Sequence, residues 1–157
     1  MKTAIIYYSL NGNCALIAEE IKAKLGAEII RLHTKNEKER KGIAKFFYSF
    51  GLMFKKYPPL LPYSFDSSAY DLLIIGAPVW AGSPASPVKT FIRDAAITGK
   101  KIALFVCHAG GMGKAIEKFK ASLPGNDFTG EIDFQTPAKK DTGEAKQKAA
   151  EWAGKLA

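Results

Sequence analysis

Three short stretches of this sequence hold residues suited to gripping an anion and a flat ring. The first, Ser9-Leu10-Asn11-Gly12-Asn13-Cys14, offers a hydroxyl, two side-chain amides and a glycine within six positions. Hydroxyls and amides donate to phosphate oxygens, and a glycine lets backbone N–H groups come close. The stretch lacks the Gly-Lys-Ser/Thr of a nucleotide-binding loop and the GxGxxG of a dinucleotide fold. Alone it fits equally well a plain polar turn in which Asn11 or Asn13 caps a helix. The second stretch runs from Ala77 to Ala85 and contains Pro78, Val79, Trp80, Ala81 and Gly82. A tryptophan among prolines and small residues has little core around it, so its ring suits a flat ligand or simply covers a sheet end. The third is His108-Ala109-Gly110-Gly111-Met112, whose small residues leave backbone open to a ligand. His108 is either a titrating partner for that ligand or a loop histidine satisfied within the protein. Gly113-Lys114 is not a phosphate-binding motif, because Ala115 follows the lysine and His108 stands where the first glycine belongs.

These stretches need elements to hold them, and each follows an apolar run. The chain alternates short apolar runs with longer amphipathic ones, the pattern of a parallel sheet with crossover helices. The runs predict strands over Thr3 to Tyr8, Ala27 to Leu32, Asp71 to Gly76 and Lys101 to Cys107, and around Phe128 to Phe134. Leu72-Leu73-Ile74-Ile75 is apolar at every position, as a strand covered on both faces requires. Helices are predicted from about Cys14 to Leu25 with Gly26 as C-terminal cap, and from Lys41 to Phe54 before Pro58-Pro59. Others are predicted from Ser86-Pro87, from Gly113 to Leu123, and from Asp141, with Glu144 completing its cap, through Trp152. Ligands of an open parallel α/β sheet bind beyond the carboxyl ends of the strands, which is where all three stretches fall. A phosphate cradle, an aromatic plate and an open backbone edge on one rim describe a site for flavin mononucleotide (FMN).

The fragments Tyr8 to Cys14, Ile74 to Gly82 and Phe105 to Gly111 resemble the three FMN-binding loops of the flavodoxins. The resemblance runs in order from Met1 to the last helix, and the middle loop is its most specific part. It implies an α/β three-layer α-β-α sandwich with a five-stranded parallel sheet in the order 2-1-3-4-5. It also implies FMN held by Ser9 to Cys14, by Pro78 to Gly82 and by His108 to Met112, with Trp80 near the isoalloxazine. The family pattern in the first loop is Ser/Thr-x-Thr-Gly-x-Thr. Here Asn11 and Cys14 stand where threonine is usual, which implies fewer strong contacts to the phosphate and weaker retention of FMN. The third loop lacks the tyrosine found in many relatives, leaving His108 or Met112 in its place.

A redox function follows, because a flavin supplies the chemistry and no Ser/His/Asp set, metal cluster or carboxylate pair occurs in the loops. One reading is an electron carrier serving a protein partner, which an acidic surface would suit. The alternative is an FMN-dependent oxidoreductase taking hydride from NAD(P)H for a quinone or other small acceptor, although no separate nicotinamide motif is present. Flavodoxins are acidic as the resemblance has it, whereas this chain carries a formal charge of +8. Positive surroundings favour the reduced, anionic flavin, so a reductive titration is expected to give a less negative potential than an acidic relative's.

At 157 residues the chain reads as one domain spanning 1–157, with the composition of a soluble globular protein. No apolar run approaches a transmembrane span and no signal peptide is recognisable, so a cytoplasmic location is expected. Cys14 and Cys107 match no metal spacing and are expected to be reduced thiols. A monomer or weak dimer is expected. Seven basic residues against two acidic ones between Lys35 and Tyr57 concentrate the positive charge, but no nucleic-acid motif accompanies them. Within that segment Ile43, Phe46, Phe47, Phe50, Met53 and Phe54 recur at helical spacing. The favoured expectation is that they form the core face of the second helix. The alternative is contact of residues 43–57 with an anionic membrane surface or a partner.

Overall fold

Runs that are apolar at every position can leave neither face to water, and each becomes a strand covered on both sides. In the computed structural model these strands are β1 (Thr3–Tyr8), β2 (Glu28–Leu32), β3 (Leu72–Trp80), β5 (Lys101–His108) and β6 (Asp127–Gln135), with a two-residue β4 (Ser83–Pro84). The described residues are 1–35, 37 and 42–157, without the side chains of Lys45, Phe46 and Ser49. The long strands are parallel and adjoin in the order β2-β1-β3-β5-β6, which is the expected 2-1-3-4-5 arrangement. Ile5 stands between Ile29 of β2 and Ile74 of β3.

The helices are α1 (Asn13–Leu25), α2 (Gly42–Phe54), α3 (Ser86–Ala95), α4 (Ala115–Ala121) and α5 (Thr142–Gly154). Alternate strand residues point to opposite layers. Ile6, Leu73, Ile75, Leu104 and Val106 meet Val88 and Phe91 of α3 and Phe119 of α4. Ile5, Leu72, Ile74 and Phe105 meet Ile17 and Ile21 of α1 and Ala145, Ala149 and Ala153 of α5. The alanines at every fourth position of α5 let it lie close to the sheet. Two of the predicted caps hold: Gly26 adopts φ 63° and donates to the Lys22 carbonyl, and Asp141 accepts from the Glu144 N–H at 2.9 Å.

Two expectations are corrected. β3 continues four residues past Gly76, and the stretch expected to be a loop is a hairpin in which Trp80 pairs with Ser83 and Val79 with Pro84. Ala81 and Gly82 turn the chain with φ 48° and 66°, the left-handed conformation that two-residue hairpin turns require. The fourth helix begins at Ala115 rather than Gly113, because Gly113 has φ 52°.

The second helix has the other large difference. Leu52 is buried, its carbonyl accepts from the Ser86 hydroxyl at 2.8 Å, and the Tyr48 hydroxyl lies 2.6 Å from Thr34 Oγ1. Ile43, Phe47, Phe50, Met53 and Phe54, expected in the core, are exposed. Helical spacing marks a stripe as apolar without saying what it faces. Glu39 and the basic residues Lys38, Arg40 and Lys41, the last being the expected start of this helix, lie outside the described residues.

Candidate functional site

Ser9 leaves the end of β1 almost fully buried. Its hydroxyl accepts from the Ala15 N–H at 3.2 Å, and its carbonyl accepts from the Arg31 guanidinium at 3.0 Å. The next residues turn sharply, with Gly12 at φ 87° and nothing within 4 Å of where its Cβ would stand. Neither Asn11 nor Asn13 caps α1; Gly12 is the N-cap and makes no side-chain cap bond. The first intrahelical bond runs from the Leu16 N–H to the Gly12 carbonyl, so the N–H groups of Asn13 and Cys14 precede it and face out of the helix start. Open backbone, first-turn N–H groups and the positive end of the helix form an anion cradle. Asn13 is fixed from outside the loop, its Oδ1 accepting from the Ala138 N–H at 3.0 Å.

The cradle opens beside the end of β3. Ser9, Leu10, Asn11, Asn13 and Cys14 share one depression with Pro78, Trp80 and Cys107. Trp80 sets its ring against Tyr8 edge to face, with centroids 5.8 Å apart and planes at 85°, and remains partly exposed. The Tyr8 phenol is pushed well above its ordinary range, by burial first and by the Glu37 carboxylate second. Val79, Ala81 and Gly82 lie on the hairpin outside the depression, but a Cβ at Gly113 would stand 3.8 Å from Gly82 Cα. Hairpin and third loop are therefore neighbours.

His108 ends β5 with both ring nitrogens engaged. Nδ1 accepts from the Gly111 N–H at 2.9 Å, and Nε2 lies 2.9 Å from Asp133 Oδ2. That pattern assigns the neutral ring's proton to Nε2, donating to the carboxylate. The imidazole thus shapes the loop, and Ala109, Gly110, Gly111 and Met112 present the exposed side chains and backbone on that rim.

Cys14 and Cys107 are free, buried and in contact, although 93 positions separate them. Burial first, and the Cys107 thiol second, hold the Cys14 thiol well above its usual range. It therefore stays protonated near neutral pH and contributes little as a side-chain donor. Iodoacetamide at pH 8 is expected to modify Cys14 more than about tenfold faster in urea-unfolded protein than in native protein, as peptide mass spectrometry would read.

Three participants escaped the sequence reading. Arg31, paired beside Tyr7, bonds the cradle's Ser9 carbonyl, Asp133 orients His108, and Cys107 lines the depression. The one available signal was a lone arginine in the apolar run of β2.

A family model described as flavodoxin matches residues 2–152. No curated protein matches the sequence. Among solved structures, a Lactobacillus acidophilus flavoprotein in complex with FMN is 25% identical, with TM-score 0.71 over 90% of this chain and 97% of that one. Oxidised flavodoxin 2 from Bacillus cereus is 21% identical, with TM-score 0.65 over 99% and 97% of the two chains. A WrbA-like flavodoxin from Agrobacterium tumefaciens, 16% identical with TM-score 0.64, shares the fold over 99% of this chain and 96% of its own.

Proposed function

Because the chain belongs to the flavodoxin family, we propose that it binds FMN at the ends of β1, β3 and β5 and transfers electrons to or from a protein partner. The observation that carries this reading is the convergence of Ser9 to Cys14 with Pro78 and Trp80 in one depression beside an open anion cradle. The cradle has the donor set a phosphate monoester needs: the Ser9 hydroxyl, the Asn11 amide and the N–H groups of Asn13 and Cys14. Ser9 accepts from Ala15, which leaves its own proton to donate outward. Arg31, tied to the Ser9 carbonyl, holds a positive charge behind the loop. Trp80 offers a partly exposed ring on the same rim, and the third loop adds the exposed Gly110 backbone and the Gly111 carbonyl, the Gly111 N–H being held by His108. FMN, when bound, supplies reversible one- or two-electron transfer.

The family match and the FMN complex of the Lactobacillus acidophilus relative support the cofactor. Absorbance of the purified protein and quenching of added FMN fluorescence test it. Saturable quenching at one equivalent is expected, and a colourless protein that quenches nothing would sink the reading. Turnover of NADH with a quinone would move the function to the oxidoreductase alternative. Trp80→Ala is expected to weaken FMN binding about tenfold with little change in the far-ultraviolet circular dichroism.

A further inference from the structure

The outer face of α2 is apolar where a surface helix is ordinarily polar. Ile43, Phe47, Phe50 and Phe54 recur at helical spacing and are 75%, 64%, 51% and 76% exposed, with Met53 and Tyr57 beside them at 40% each. Phe50 and Phe54 pack edge to face at 5.0 Å. The helix does not need this face for its own attachment, since buried Leu52 and its hydrogen bond to Ser86 hold it from the other side.

Cations frame the stripe. Lys55 and Lys56 follow the helix directly. Beyond Tyr57 lies a cleft of about 310 Å³ that Lys89, Arg93 and Lys118 line together with Pro84 and Ile92. Arg93 and Lys56 both lie over the Tyr57 ring, at 4.6 and 5.4 Å. Asp94 meets Arg93 at 2.7 Å. Partial burial, and behind it the charges of Lys118 and Lys56, lower the Lys89 ammonium's affinity for its proton. An anion in the cleft relieves that repulsion.

We propose that the outer face of α2 and this cationic cleft dock together on an anionic phospholipid surface, lying in the interface. No helix among the described residues is long and apolar enough to cross a membrane. Cations set beside large exposed apolar side chains favour this occupant. A second copy would bring Lys55 and Lys56 and the cleft's Lys89, Arg93 and Lys118 against their own counterparts, which like-charge repulsion opposes. An anionic bilayer takes large apolar side chains at its acyl boundary and lysines at its headgroups. The cleft shares Pro84 with the hairpin that carries Trp80, and Lys118 donates to Ser83 at 3.0 Å, so docking turns that rim toward the membrane.

The test is sedimentation of the full chain with phosphatidylcholine vesicles, with and without about one-third phosphatidylglycerol. Binding is expected to be at least about tenfold stronger to the anionic vesicles and to be largely lost in roughly 0.5 M salt. Phe50→Ser/Phe54→Ser and Lys55→Gln/Lys56→Gln are each expected to lower it at least about tenfold while circular dichroism stays unchanged. Absence of binding, or binding that the phenylalanine variant leaves intact, overturns the proposal. So does concentration-dependent dimerisation lost in that variant in place of vesicle binding, which assigns the face to a second copy. The readout needs no cofactor, so its failure and a failure of FMN binding are separately visible.

Discussion

Replacing Gly76 by alanine is expected to cost about 3 kcal/mol of stability and to lower the urea midpoint by more than about 1 M. Gly76 is a β3 residue whose register neighbour on β5 is Phe105, and the phenylalanine ring occupies the space where a side chain would be. A Cβ there would stand 2.0 Å from Phe105 Cζ and 2.3 and 2.5 Å from its two Cε atoms. The ring is fully buried in the layer beneath α1 and α5, so it cannot swing into solvent to make room. Either the ring leaves its rotamer or the strands separate, and both routes are expensive in a close-packed interior. Phe105→Leu in the Gly76→Ala background is expected to return part of the loss, making the double variant more stable than the sum of the two single effects. An unchanged midpoint for Gly76→Ala would show that the ring yields freely.

Asn11→Asp is expected to weaken FMN binding by at least about tenfold while leaving the fold intact. The substitution keeps the side chain's shape and exchanges an amide for a carboxylate at an exposed position of the cradle. It removes the N–H donors and sets a negative charge against a phosphate that is itself close to dianionic at neutral pH. Raised salt should recover part of the loss by screening. Asn11→Thr, which restores the family's usual residue, is expected to hold or tighten binding. Fluorescence titration with FMN decides both variants, and equal affinity for the aspartate variant would remove Asn11 from the phosphate contacts.

The sheet was legible because its strands are apolar at consecutive positions. Thr3 to Tyr8 and Lys101 to Cys107 were readable to within a residue. Pro78 obscured the end of β3, since a proline inside a run argues against a central strand. Here Pro78 lies where β3 leaves the central pairing for the hairpin, and its carbonyl accepts from Ala85. The three site stretches were legible from small and polar residues after strands. The bonds that set them were not, because Asn13 to Ala138 and His108 to Asp133 join elements whose contact only the register creates. The outer face of α2 was misread for a simpler reason. Hydrophobic periodicity is the same for a helix facing its own core and for one facing something else.

The bond from Ala138 to Asn13 also bears on how this protein is made. Synthesis proceeds from the N-terminus, so the loop at Ser9 to Cys14 emerges early, while the residue that pins Asn13 emerges some 125 positions later. The small face of α5 that covers Cys14 and Ala18 follows later still. A nascent chain therefore carries the cradle's sequence long before it carries the cradle, whose pinning bond waits for Ala138 to be made.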